Sequence, residues 1–237
     1  MIARRSLPAL LALVLATLPV FTGPDAARAQ QDLPDAKQTA LEQVEALDTQ
    51  IHTMSMQLWS FAETAMKEKR SASFLADLLE EEGFTVERGV AGMPTAFVAT
   101  WGEGSPVIGV LAEFDALPGV GNAPVPRRAP REDGTTSGHG CGHNLFGAGS
   151  VAGGMALKRT MEREGLSGTI RVYGTPAEET VVGKVYMARE GLFDDLDAAI
   201  AWHPSLETEV DNNAGRALNN FEVTFHGQPA HGAADPW

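Results

Sequence analysis

Three short apolar runs in this chain each lead at once to an acid or a histidine. Residues 107–112 run into Glu113 and Asp115, residues 169–173 pass through a Thr-Pro-Ala turn to Glu178 and Glu179, and residues 198–202 deliver His203. Helical patterns over 145–163 and 184–190 interleave with the later runs, and helix followed by strand, repeated, predicts an α/β sandwich. In open α/β sheets, sites form beyond the carboxyl ends of strands, so these acids and this histidine are placed to converge.

The remaining elements follow from periodicity. Leu41, Val44, Leu47, Ile51, Met54 and Leu58 recur at spacings of three and four, the face of one long helix. A second helix over 71–82 buries Phe74, Leu75, Leu78 and Leu79 and stops at Gly83. Strands are predicted over 85–90, 95–101 and 107–112, with Gly and Pro punctuation between them. Within 145–163, Gly147, Gly149, Gly153 and Gly154 leave room for the helix to lie close to a sheet.

Between strand and helix lies Gly138-His139-Gly140-Cys141-Gly142-His143-Asn144, which holds the only cysteine of the chain. Alone, a cysteine is most often a small core hydrophobe and a histidine a satisfied imidazole. Together with Glu178, Glu179 and His203, the set offers the thiolate, imidazole and carboxylate ligands that divalent zinc or manganese take up. A single cysteine cannot form an internal disulfide, so Cys141 is an intermolecular bridge, a reactive thiol or a ligand, and a helix amino terminus favours its thiolate.

Composition narrows the partners. With 237 residues, 43% of them hydrophobic, the chain can bury a sizeable core. A formal charge of −13, with no basic stripe, excludes nucleic acid. Residues 1–29 read as a secretory signal peptide: Arg4-Arg5, an apolar run over 7–21, and Ala27-Arg28-Ala29 as a small-x-small cleavage site. The mature protein is then expected to be periplasmic or secreted, without a membrane span. An uncleaved anchor is the alternative, and the paired arginines faintly resemble a twin-arginine signal.

Four motifs in order, Ala112-Glu113-Phe114-Asp115-Ala116-Leu117-Pro118, His139 to His143, Thr175-Pro176-Ala177-Glu178-Glu179 and Ala201-Trp202-His203-Pro204, resemble the dinuclear metal-dependent amidohydrolases of the aminoacylase and carboxypeptidase superfamily. Within it, the branch acting on N-acyl and N-aroyl amino acids such as aminobenzoyl-glutamate is the most similar. The resemblance implies a three-layer α/β/α metallopeptidase-like catalytic domain over 30–213 and the start of an inserted α+β lid and dimerisation domain over 214–237. It implies two divalent ions, zinc or manganese, with Cys141, His143, Glu179 and His203 as ligands, Glu178 as general base and Asp115 as a catalytic, orienting carboxylate. His231 is implied to reach a partner subunit's site and hold the substrate, in a homodimer or a dimer of homologous subunits.

Two departures stand out: Asn144 stands where many members have Asp, and Glu113 where the peptidase branch has a histidine ligand. That branch's bridging carboxylate is also absent, which points to the Cys141 sulfur as a bridge. The activity implied is hydrolysis of the amide of an N-acyl or N-aroyl amino acid, with a dipeptidase as runner-up. The family's fold continues past the position of Trp237, so the chain is expected to be an amino-terminal portion, and an inactive metal-binding remnant is the reading from a different class. His52 and His226 are expected to be structural, His139 at most to support a ligand, and Arg127, Arg128 and Arg131 to lie in a solvated Pro-rich loop.

Overall fold

The structure is a computed structural model and describes residues 34–210, 221, 223–227, 231 and 233. The expected signal peptide and the expected domain boundary at 213/214 lie outside the described residues. The chain divides into two compact units, Met1–Pro204 and Ser205–Trp237. In the second, Phe221 and residues 223–227 are exposed and form no regular strand. The elements below belong to the first.

The long helix expected at the start is two. Helix α1 spans Asp35–Ala46 and α2 spans Asp48–Phe61. At the break the Leu47 N–H bonds the Val44 carbonyl at 3.0 Å, one residue short of the α-helical partner. The apolar face therefore does not run straight through: Leu41 and Val44 are 41% and 42% exposed, whereas Leu47, Met54 and Leu58 are buried. Helix α3, Lys69–Glu81, ends as its sequence predicts. Gly83, at φ +97, lets its own N–H reach Glu80 and the Phe84 N–H reach Leu79, both at 2.9 Å, which satisfies carbonyls the helix end would leave open.

Five strands, β1 Thr85–Arg88, β2 Phe97–Glu103, β3 Val107–Ala112, β4 Gly168–Gly174 and β5 Ala198–Ile200, form one mixed sheet in the order β1-β2-β4-β3-β5. β1 and β4 run antiparallel to β2, while β3 is parallel to both β4 and β5. In register, Ala112 pairs with Gly174 and Val110 with Ile200, so three parallel strands end at one edge. Helix α4, His143–Glu164, is the crossover from β3 to β4; a four-residue helix α5, Glu178–Val181, and α6, Gly183–Arg189, lead from β4 to β5.

Alternation across the pleat gives the central strands two dry faces. Phe97, Ala99, Ile170 and Val172 pack with Leu58, Leu75, Leu79, Val151 and Met155 from the helices. Val98 and Tyr173 pack on the other side with Val90, Met93 and Met187 of α6. The result is the expected three-layer arrangement. The glycines of α4 let it close on the sheet: a Cβ on Gly154 would stand 2.4 Å from Val172 Cγ2, and one on Gly147 2.8 Å from the Glu113 carbonyl oxygen. Gly153 faces open space and has no such role. Among the described residues no helix is long and apolar enough to cross a membrane.

Candidate metal centre

The strand ends and the start of α4 bring the sequence-predicted residues of the first unit together. His143 opens α4, with no exposed surface, directly after the left-handed Gly142. Its Nδ1 lies 3.0 Å from Asp115 Oδ1, three residues past β3. With Nδ1–H donated there, the Nε2 lone pair faces the interior of the site. Asp115 uses its other oxygen to accept the Glu179 N–H at 3.0 Å, tying the end of β3 to the turn after β4. Burial alone would raise the Asp115 carboxyl, but its bonds to His143 and the Glu179 N–H outweigh that and hold it below the usual range. Burial likewise opposes the His143 imidazolium, and Asp115, then Glu113 and Glu179, reverse the balance and raise its pKa.

Around Nε2 stand two groups of potential ligands. Cys141, His143 and His203 each offer a donor atom within 4.8 Å of the others, as do Glu113, His143 and Glu178. His203 Nδ1 is 3.0 Å from the Pro204 carbonyl oxygen, which sets its Nε2 as the acceptor 3.4 Å from Cys141 Sγ. Glu179, expected as a ligand, is in neither group, yet its Oε1 lies 4.0 Å from His143 Nε2. Glu113 Oε2 is 3.1 Å from that nitrogen. His143 Nε2, Glu113 Oε2 and Glu179 Oε1 are all buried without a hydrogen-bond partner.

Buried polar atoms left without hydrogen bonds are costly, and one sulfur, two imidazoles and several carboxylates are what a divalent ion takes. The residues fit a metal ion. Because Nδ1 is engaged by Asp115, the single Nε2 is common to both groups and can bind only one ion at a time.

The site is acidic, and that overturns one expectation. Helix α4 starts two residues after Cys141, and burial, followed by the charges of Glu179, Glu178 and Glu113, pushes the thiol up to about 11. The helix end does not yield a thiolate here; a bound dication would have to. Glu178 is half-buried and raised, by burial first and by Glu113 next. Lys184 at the start of α6 pairs with Glu113.

The turn carrying Glu178 and Glu179 is tightly held. Thr175 donates both its N–H, at 2.9 Å, and its hydroxyl, at 3.1 Å, to the Ala112 carbonyl oxygen. Ala177 and Val182 bracket α5 in left-handed conformations at φ 60 and φ 53, each costing a non-glycine residue roughly 1–2 kcal/mol.

Other expected residues fall elsewhere. His139 is buried and bonds the Leu58 carbonyl through Nε2 at 3.1 Å; burial lowers its pKa to about 4, so it serves as a neutral link to α2. Asn144 bonds Ser55 Oγ at 2.9 Å, also on α2. Arg131 is not solvated as expected: its guanidinium caps α2 by donating to the Trp59 and Ser60 carbonyls, both at 2.8 Å. Arg127 and Arg128 are exposed, and His231 is an exposed residue of the second compact unit. Glu113 as a potential ligand, its partner Lys184, and the buried Glu68 beneath the turn are what sequence reasoning missed. Glu113 was visible as the first residue past β3; nothing in the sequence distinguishes Lys184 or Glu68.

The profile of peptidase family M20/M25/M40 matches residues 109–236, more than half of the chain. The chain belongs to that family. Over 186 residues this M20 chain is 45% identical to one of the subunits of the p-aminobenzoyl-glutamate hydrolase of Escherichia coli, covering 76% of this chain and 37% of that protein. It is 30% identical over 213 residues to the Xaa-Arg dipeptidase of Mus musculus, covering 85% of this chain and 45% of that one. Among solved structures, a dinuclear metal-binding M20 peptidase of Bacillus subtilis superposes with a TM-score of 0.58 at 26% identity, over 68% of this chain and 44% of that one. This M20 chain spans less than half the length of each of the three.

Proposed function

We propose that this chain supplies the metal-binding catalytic part of an amidohydrolase that cleaves N-acyl or N-aroyl amino acids of the aminobenzoyl-glutamate type. The observation that carries the proposal is the meeting of Glu113, Cys141, Glu178, Glu179 and His203 around the unpartnered Nε2 of His143. The 45% identity to a hydrolase subunit named for aminobenzoyl-glutamate supports the substrate class. When bound, a pair of divalent ions supplies Lewis-acid polarisation of the scissile carbonyl and acidifies the attacking water. Cys141, His143, Glu179 and His203 are the proposed ligands. Zinc suits the thiolate and manganese the carboxylates. Asp115 orients His143 and keeps its Nε2 lone pair on the site.

Glu178 is the proposed base: its carboxylate takes a proton from the attacking water and returns it to the leaving amine nitrogen. A raised carboxyl suits that task, since it can both accept and release a proton nearer neutral pH. In an acidic protein the substrate carboxylate needs local donors, and His231 from a partner subunit, identical or homologous, is proposed to supply one. Export to the periplasm or outside the cell is proposed from the features of residues 1–29.

The test is an assay of the intact protein on a panel of N-acyl amino acids, dipeptides and their carboxamides, with free amine as the readout. Aminobenzoyl-glutamate is expected to be cleaved faster than the dipeptides, and free acids faster than carboxamides. Preferential cleavage of dipeptides ending in arginine would favour the second reading, which the 30% identity to an Xaa-Arg dipeptidase supports.

A further inference from the structure

The turn that carries Glu178 and Glu179 passes through Ala177 in a left-handed conformation, φ 60 and ψ 37, with no exposed surface. Its N–H points into the protein, where an unmet donor would be costly. The partner is Glu68 Oε1, at 3.0 Å, from a residue 109 positions earlier that sits just before α3. Glu68 itself is 0% exposed, and its second oxygen accepts the hydroxyl of buried Thr95 at 3.1 Å. These partners, like the Glu68 backbone N–H that also favours the carboxylate, are neutral donors, and Asp115 acts on Glu68 as a like charge.

A buried carboxylate held in this way is expensive, and helix capping does not explain it: Glu68 stands at the N-cap of α3 but makes no cap bond, and the Ser71 N–H there goes to Glu63 at 2.9 Å. What the Glu68 carboxylate reaches instead is the turn. Two residues further on, Asp115 holds the Glu179 N–H in the same manner. The backbone between the two carboxylates is that of Ala177, Glu178 and Glu179.

We infer that Glu68 is a positioning residue, fixing the turn through the Ala177 N–H and so setting where the Glu178 and Glu179 carboxylates stand relative to Glu113 and His143. This rests on the hydrolytic role proposed above. What the turn requires is an acceptor of the right reach, not a charge. Glu68→Gln keeps an acceptor at the same distance, whereas Glu68→Asp keeps the charge and withdraws it by one methylene.

The experiment compares both variants in the intact protein by three measurements: hydrogen exchange of the peptide 175–182, metal affinity by competition with a chromophoric chelator, and kcat and KM. Glu68→Gln is expected within about threefold of wild type on each. Glu68→Asp is expected to speed exchange of that peptide and lower kcat by at least about tenfold, with KM within about threefold, because small displacements of reacting groups are costly. Its metal affinity falls as well. Wild-type exchange and kcat in Glu68→Asp, or a Gln variant as impaired as the Asp one, would overturn the inference. Thr95→Val, which frees Oε2, gives the same decision if the Asp variant does not fold: exchange of 175–182 accelerates or the inference fails. If the wild type hydrolyses no amide, the hydrolytic role fails, and the exchange measurement still decides Glu68.

Discussion

At Cys141 the neighbouring charges oppose the very form in which the residue would serve. Burial and the carboxylates of Glu179, Glu178 and Glu113 hold the thiol at about 11. In the metal-free protein at pH 8 its thiolate fraction is then about a hundredfold below that of an unperturbed cysteine. Alkylation of the metal-free protein by iodoacetamide is expected to be slow by about that factor, with a rate that climbs towards pH 11; an inflection below pH 9 would mean that the acids do not act on the sulfur. Glu178 is raised as well, by burial and by Glu113. A general base works deprotonated, so a raised carboxyl moves the acid limb of kcat/KM to higher pH than an ordinary glutamate gives. Glu178→Gln is expected to remove that limb and lower kcat by at least about a hundredfold while metal stays bound. Loss of metal from this variant, measured by elemental analysis, would make Glu178 a ligand, in keeping with its place beside Glu113 and His143. Residue type, together with position just past a predicted strand and the order of the motifs, brought Cys141, His143, Glu178 and His203 to notice. They did not bring Glu68, because a lone acid ahead of a helix is commonplace and its meaning lies in a contact 109 residues away.

The elements place these groups through close backbone approach. On α4, a Cβ at Gly149 would stand 2.9 Å from the Trp202 ring, whereas Gly153 has open space. Gly149→Ala is therefore expected to displace Trp202 and, next to it, His203, destabilising the fold by about 1–3 kcal/mol and weakening metal binding. Gly153→Ala is expected to be neutral or to stabilise by up to about 1 kcal/mol through helix propensity. Denaturant unfolding and chelator competition check the pair; equal effects at the two positions would contradict the packing described. Strands and the end of α3 were legible because apolar alternation and a glycine terminator are local signals. The break at Leu47 was not. An unbroken three-and-four periodicity cannot show that the Leu47 N–H turns to Val44 and leaves Leu41 and Val44 largely exposed. Arg131 was misread for a related reason: its partners are helix-end carbonyls about seventy positions away.

For the whole molecule, the parallel strands β3, β4 and β5 deliver the site to one end of a sheet whose central strands β2 and β4 are buried on both faces. That architecture was legible because helix and strand alternate in the sequence; sheet order and the antiparallel β2 were not, since pairing partners leave no local mark. The acidic cluster makes metal an expected stabiliser of this fold. At an ion concentration one hundred times Kd the gain is about 2.7 kcal/mol, so chelation is expected to lower the melting temperature by roughly 5–10 °C, and restored zinc or manganese to recover it. At the heart of this site His143 Nε2, buried without a hydrogen bond and 3.1 Å from Glu113 Oε2, is placed to be a metal ligand. Anomalous diffraction from crystals of the intact protein soaked in zinc or manganese tests it most directly. A peak is expected within bonding distance of His143 Nε2, at about 2.0–2.2 Å, with Cys141, His203 or the neighbouring carboxylates completing the sphere. Crystals holding the metal elsewhere, with His143 Nε2 still unliganded, would contradict it.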